Sequence, residues 1–330
     1  MTYYLSRKIR IISFFLMILI VVLHANLIEL STGTSRFVQS LFTEELTRVA
    51  VPLFFLISGY LYFINCDGSK VFFLKKMRRR VRSLVIPYLL LTILGGVVLF
   101  FTKKGDSLFS LIIDSILIYP RVFYQLWFVH DLIIMSFLSP LFYWFLKKIP
   151  YLWILVCLVW LTGHYWSLLN IVNYESLFFW GMGGLIAFHF PILAEYQSVN
   201  RKGLVTSILI IWLFISFFIA YNGRPFYIHG INLLMGIYVI WGGYDIIFPL
   251  VDHNLSNINL TKYTFFLYLF HEPILTGYKK SLLTMLELNQ LTSMIIYVVS
   301  PILTLCTILL VGQFAKRHTP IIYYIFTGNR

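Results

Sequence analysis

The sequence predicts an all-α polytopic membrane protein, and its composition and apolar runs carry this prediction. Hydrophobic residues make up 59% of the 330 residues and charged residues 12%, against roughly 25% charged in soluble domains. Apolar runs of about 17–25 residues, the length that crosses a bilayer as a helix, recur along the chain. They leave no room for a separate soluble domain, so we expect one transmembrane domain over residues 1–330.

About ten runs reach the length of a membrane span. We predict spans at residues 9–28, 47–64, 84–102, 126–146, 151–169, 174–190, 204–221, 231–250, 263–283 and 292–314. Segment 106–119 is too short to span and carries two aspartates, which favours an interfacial or re-entrant piece. Small residues allow close helix approach in lipid, so Gly59 and the glycine-rich run Trp180–Leu185 are predicted to pack helices.

The basic residues predict the orientation. The net charge is +13, which in a soluble protein would suggest nucleic acid. Here the cations stand in short loops between apolar runs, so topology explains them and no nucleic-acid partner is expected. On ten spans, 16 basic residues fall on the side of the N-terminus and 8 on the other. The richer side is cytoplasmic by the positive-inside rule, so both termini are predicted on the cytoplasmic side of the cell membrane.

The first span carries an imidazole near its outer end. His24 follows a run that is apolar from Ile11 to Leu23 apart from Ser13. Ionisable residues at membrane depth are costly and therefore often functional, and imidazole is the natural general base near neutral pH. The alternative is a structural histidine. Arg10 precedes His24 by 14 residues, which puts both within about 40° of one helix face and about 21 Å apart.

The second group of interest is a run of six cations before the third span. Orientation of the chain is one explanation. The other is an anion site at the cytoplasmic mouth, since guanidinium groups bind phosphate bidentately and residues four apart share a helix face. The nucleotide end of coenzyme A would suit such a site, with anionic lipid headgroups as the competing ligand. The six residues are Lys75, Lys76, Arg78, Arg79, Arg80 and Arg82.

Other ionisable residues fall in or beside the outer halves of spans. Arg48 opens the second span, either as a snorkelling arginine or as a cation facing a pore near His24. Glu29 is expected at the outer mouth of the first helix. The pair His271-Glu272 stands before Pro273 within an apolar span. Such a pair either faces a wet cavity or grips the backbone that the proline leaves free.

Neither the histidines nor the cysteines predict a metal site. The 8 histidines include no pair at ligand spacing, and the 3 cysteines lie far apart, so neither a metal site nor a disulfide framework is predicted. We expect no metal and no tightly bound cofactor.

Five segments, taken in order on these spans, resemble the integral-membrane acyltransferase-3 family, in its branch of small ten-helix proteins without an appended hydrolase-like domain. The segments are Val21–His24, Arg48–Tyr60, Arg78–Arg82 before Ile86–Tyr88, Leu126–Phe128 with Leu138–Pro140, and Phe265–Leu275. The resemblance covers nearly the whole chain.

The resemblance implies an O-acyltransferase. Members commonly transfer acetyl from acetyl-CoA to a hydroxyl of a cell-surface glycan or related envelope molecule. The family's catalytic histidine corresponds to His24 and its coenzyme-A-associated basic motif to Arg78–Arg82. Where the family often has an arginine, this chain has Ser13, so we expect Arg10, one turn earlier, to supply that cation.

The resemblance and the residue pattern together predict the other residues of the site. Arg10 and Arg48 are expected to act with His24 in catalysis, and the six cations to bind acyl-CoA. The expected acceptor-binding residues are Glu29, Trp127, His271 and Glu272.

Two other functions fit the same pattern. A transporter or flippase could move an acyl-CoA or an envelope precursor without chemistry, although no internal repeat of the kind common in transporters is visible. A non-catalytic scaffold among glycan-assembly proteins is the third interpretation. Labelled acetyl-CoA separates them, because only an enzyme releases free coenzyme A or labels an acceptor.

Overall fold

The prediction of an all-α fold is confirmed. The structure is a computed structural model and describes residues 1–102, 123–161, 172–195, 201–222, 226–255 and 259–328. Within these ranges the regular elements are all helical. In chain order they are α1 Tyr3–His24, α2 Gly33–Ser40, α3 Ala50–Phe63, α4 Lys70–Arg80, α5 Ile86–Thr102, α6 Trp127–Phe137, α7 Ser139–Lys148, α8 Leu152–Leu161, α9 Tyr174–His189, α10 Pro191–Glu195, α11 Lys202–Asn222, α12 Phe226–Leu255, α13 Thr264–Met285, α14 Gln290–His318 and α15 Pro320–Thr327.

Short 3₁₀ or π-helical turns join several of these helices. A π-helical turn at Leu41–Leu46 and a 3₁₀ turn at Thr47–Val49 connect α2 to α3, and a second π-helical turn at Val81–Val85 connects α4 to α5. The third predicted span therefore begins earlier than its apolar run, at Lys70. The Ser69 side chain accepts a hydrogen bond from the Phe72 amide and caps this start, which is the usual N-cap role of serine.

Six described helical stretches are long and apolar enough to cross a membrane, and the bent pair α6–α7 makes up to seven. The pair is bent by 67°. The six are Tyr3–Leu30, Gly33–Phe63, Lys70–Val98, Lys202–Asn222, Ile228–Phe248 and Gln290–His318. The number of ten crossings, the cytoplasmic termini and the single domain stay predictions, and segment 106–119 lies outside the described residues.

By its contacts the chain divides into two compact units. Unit 1 comprises Met1–Phe54 and Ile192–Gln313, and unit 2 comprises Phe55–Pro191 and Phe314–Arg330. In unit 1, α1 packs against α13 and α12, and α11 packs along α12. In unit 2, α9 packs against α7 and α8, and α15 packs against α5.

Unit 1 contains a buried ion pair. Lys8 and Asp245 are both fully buried, and the Lys8 Nζ lies 2.7 Å from the Asp245 Oδ1. Tyr4 donates its hydroxyl to the same oxygen at 2.5 Å, and the Lys8 ammonium lies 4.4 Å from the centre of the Trp241 ring. A buried charge must be paired to be tolerated. Lys8 therefore joins α1 to α12. In the sequence it stood only among the basic residues that predict the orientation.

In unit 2, glycines let the backbones of α3 and α9 pack directly against each other. A Cβ built on Gly59 would overlap the carbonyl oxygen of Trp180, and one on Gly183 would overlap the carbonyl oxygen of Leu56. Close backbone approach of this kind holds helices together in lipid, where the hydrophobic effect does not drive association. The predicted packing role of Gly59 and of the run Trp180–Leu185 is thus confirmed.

Gly59→Ala should lower the free energy of unfolding by about 1–3 kcal/mol, because the added methyl group forces α3 and α9 apart. Gly243→Ala is the matched control in α12, since a Cβ there meets no atom within 4 Å. Thermal unfolding of the detergent-solubilised variants measures both effects. Equal melting temperatures would contradict the close approach of α3 and α9.

Candidate functional site

Two histidines predicted from separate spans meet in unit 1. His24 ends α1 and is half-buried, whereas His271 in α13 is fully buried. The centres of their rings are 5.4 Å apart and the ring planes are inclined by 46°. The rings are in contact, but the Nε2 of His271 makes no hydrogen bond to the His24 ring. The packing of α1 against α13 thus creates an imidazole pair that no local sequence pattern shows.

The two ring nitrogens of His271 differ in their hydrogen bonding. Nδ1 lies 2.7 Å from the carbonyl oxygen of Tyr268, whereas Nε2 is buried and has no hydrogen-bond partner in the part of the chain that the structure describes. Pro273 lacks an amide hydrogen, which in helix register frees the carbonyl of Leu269. His271 binds a neighbouring carbonyl instead, so gripping that freed group is not its role here.

Lys279 holds the end of α1 at His24. Its Nζ donates to the His24 carbonyl oxygen at 2.9 Å and lies 3.4 Å from that of Asn26. The side-chain amide nitrogen of Asn26 donates to the Leu23 carbonyl oxygen at 2.9 Å. The last carbonyls of a helix have no partner within it and carry partial negative charge, which favours a cation there. The sequence showed Lys279 only as an outer-side cation, because its partner lies on another helix.

The segment after His24 is held by Gln39. This fully buried side chain accepts the Leu27 amide at 2.7 Å and donates to the hydroxyls of Ser31 and Ser35 at 2.9 and 3.1 Å. Ser35 in turn pairs with Ser293. Sequence reasoning missed this network, since a lone glutamine in a short amphipathic stretch carries no functional signal.

The remaining predicted residues of unit 1 differ in exposure. Arg48 is exposed, and with Lys279 it exerts positive potential on the His24 ring, which favours the interpretation of Arg48 as a cation near His24. Glu29 and Arg10 are exposed. Glu272 accepts a hydrogen bond from the Thr276 hydroxyl at 2.8 Å. The functional roles assigned to these residues stay predictions.

The six cations of unit 2 divide into two groups. A cleft of about 400 Å³ is lined by four of them together with Val71 and Leu74. The four are Lys75, Arg78, Arg79 and Arg82. Arg78 and Arg82 thus line one cleft, as their spacing predicts.

The other two cations pack inward. Lys76 donates to the Leu61 carbonyl oxygen at 3.3 Å, and its Nζ lies 5.3 Å from the centre of the Tyr62 ring. The Arg80 guanidinium lies 5.7 Å from the same ring. Cation–π contacts of this kind stabilise packing. The sequence could not separate the two groups, because the difference depends on where Tyr62 lies.

Trp127 and a neighbouring acid lie elsewhere in unit 2. Trp127 is half-buried at the start of α6, with its ring 6.0 Å from that of Phe55. Its part in acceptor binding stays a prediction. The buried Asp131 accepts the Asn173 amide at 3.2 Å and so ties α6 to the start of α9. Over the described ranges, no group of three or more metal-ligating side chains is placed to hold an ion.

Lys279→Met should loosen the end of α1 and lower the free energy of unfolding by about 1.5–3 kcal/mol, the range for hydrogen bonds to charged groups. Lys280→Met is the control, since its side chain is exposed one residue away. Hydrogen exchange at residues 22–26 should accelerate only in the first variant. Equal exchange in both would show that Lys279 does not hold this end.

Comparison with known proteins agrees with the family that the motifs indicate. The model of the family described as an acyltransferase domain, acyltransferase-3, matches residues 9–326. No curated protein and no solved structure matches the chain significantly. Since the family match spans nearly the whole chain and the described helices include several long apolar ones, the chain belongs to the acyltransferase-3 family and is a membrane acyltransferase.

Proposed function

We propose that this protein transfers an acetyl or other small acyl group from acyl-CoA to a hydroxyl of a cell-surface glycan or envelope precursor. The observation that carries the proposal is the half-buried His24 at the end of α1, packed against His271. An imidazole in this setting supplies a base at membrane depth, where few other groups could. We place the enzyme in the cell membrane, with acyl-CoA as a substrate and no tightly bound cofactor.

His24 is the proposed general base. It takes the proton of the acceptor hydroxyl as that oxygen attacks the thioester carbonyl carbon. The tetrahedral intermediate then collapses, the carbon–sulfur bond breaks, and the His24 imidazolium returns the proton to the departing thiolate. The products are the acyl ester and coenzyme A with a free thiol, so atoms and charge balance without a further reactant.

Nearby cations stabilise the charge that develops. A negative charge forms on the carbonyl oxygen during attack, and preorganised positive groups lower its energy. Arg48 is proposed for this role because it already exerts positive potential at His24. Arg10 is proposed to help position the donor. Glu29 and Glu272 are proposed to accept hydrogen bonds from the acceptor.

The cleft lined by the four outward cations is the proposed donor site. Lys75, Arg78, Arg79 and Arg82 offer charge-assisted hydrogen bonds to the phosphates of coenzyme A. Val71 and Leu74 add an apolar wall to the same cleft, which suits a ligand with both charged and apolar parts. Lys76 and Arg80 are not among the lining residues of this cleft and pack on the Tyr62 ring.

His24→Ala should reduce acyl transfer by about 10²–10⁴-fold, the usual contribution of a positioned base. The measurement is release of free coenzyme A from labelled acetyl-CoA by purified protein with envelope glycan present. His318→Ala is the control, since this histidine is exposed at the end of α14. Unchanged turnover in His24→Ala would contradict the proposal, and uptake of donor without release of coenzyme A would favour a transporter.

Arg78→Gln should raise the KM for acyl-CoA several-fold with little change in kcat, because it removes binding energy common to substrate and transition state. Lys70→Gln removes the same charge at the start of the same helix, outside the cleft, and is the matched control. Kinetics in nanodiscs of neutral lipid exclude competition by anionic headgroups. An equal KM in both variants would contradict the donor site, provided that a topology reporter shows unchanged orientation.

A further inference from the structure

His271 presents a buried polar atom that the fold leaves unused. Its ring is fully buried, yet Nε2 finds no hydrogen-bond partner among the described residues. Leaving a buried polar atom without a partner costs free energy, and the described residues contain several such atoms. The ring of His24 stands 5.4 Å away, centre to centre. The unused nitrogen therefore lies beside the proposed base.

The contact with Tyr268 fixes which nitrogen of His271 carries the proton. A carbonyl oxygen only accepts hydrogen bonds, so Nδ1, 2.7 Å from it, is the donor. In a neutral imidazole the other nitrogen then carries a lone pair and accepts. Backbone carbonyls select histidine tautomers in this way around catalytic and metal sites. His271 is thus held with an acceptor at Nε2.

We propose that His271 is a positioning residue for His24. The two rings make no hydrogen bond in this structure, and a small rotation of the His24 ring lets it donate an N–H to the Nε2 of His271. This hydrogen bond holds the second nitrogen of His24, with its lone pair, toward the acceptor hydroxyl. It also stabilises the imidazolium that forms when His24 takes the proton. The proposal rests on the proposed function, and it moves His271 from the acceptor-binding group to a place behind His24.

Burial favours this role over direct contact with the acceptor. His24 retains exposed surface, whereas His271 has none. Charged groups around the pair are consistent with an accepting role as well. Lys279 and Arg48 exert positive potential on His24. A neutral nitrogen that accepts a hydrogen bond from the His24 ring spreads the charge of the imidazolium and adds no further cation beside it.

Two amide substitutions separate positioning from packing. In His271→Asn the amide reaches only as far as Nδ1, so it can restore the bond to Tyr268 but offers nothing to His24. In His271→Gln the amide reaches as far as Nε2 and presents an acceptor oxygen there. A purely structural role of His271 predicts that the asparagine variant performs at least as well as the glutamine variant, whereas positioning predicts the reverse.

The experiment measures kcat and the KM for acyl-CoA for His271→Leu, His271→Asn, His271→Gln and His24→Ala in the release of coenzyme A. We expect kcat to fall about 10–100-fold in the leucine and asparagine variants, as for loss of a residue that orients a catalytic histidine. The KM should stay unchanged, and the glutamine variant should recover part of kcat. The His24→Ala/His271→Leu double variant should be no slower than His24→Ala, because the two residues act as a unit.

The outcomes distinguish the inference from the function on which it rests. Wild-type kcat in His271→Leu, or equal kcat in the asparagine and glutamine variants, with His24→Ala inactive, would overturn the positioning role alone. Wild-type turnover in His24→Ala would overturn the proposed function and the inference together. If the leucine variant fails to fold, the comparison of asparagine with glutamine still decides, since both retain a polar side chain of similar shape.

Discussion

The structure depends on one constraint, that a polar group buried in an apolar helical protein must find a partner. Lys8 and Asp245 meet it with each other, and the end of α1 meets it through Lys279. His271 meets it at one nitrogen only. His271 is one of several residues with a buried polar atom that lacks a hydrogen-bond partner among the described residues, and its ring packs against that of His24.

The same constraint explains how the proposed site at the end of α1 is held together. The last carbonyls of α1 need donors that the helix itself cannot supply. Lys279 and Asn26 supply them, and Gln39 fixes the residues that follow. Groups that stabilise the helix end thereby hold the His24 backbone in place, and a fixed position is what the proposed general base requires.

Much of the fold could be predicted from the sequence because apolar runs of helical length report directly on membrane helices. His24 could be predicted as a candidate for the same reason, since its imidazole ends a run that is otherwise apolar. The partners of Lys8 and Lys279 could not be predicted from the sequence, because each partner is distant in sequence from its lysine. The division of the six cations also escaped prediction, since it depends on how Lys76 and Arg80 pack around Tyr62.

The central proposal is that a basic cleft binds acyl-CoA and that His24, acting as a general base, lets an acceptor hydroxyl in the membrane take the acyl group. Sealed vesicles containing the protein in one orientation, with labelled acetyl-CoA added to one side at a time, test it most directly. The account predicts release of free coenzyme A and labelling of a glycan acceptor only when the donor is on the side that carries Arg78 and Arg82. Equal turnover with the donor on either side, or labelled donor crossing intact, would contradict it.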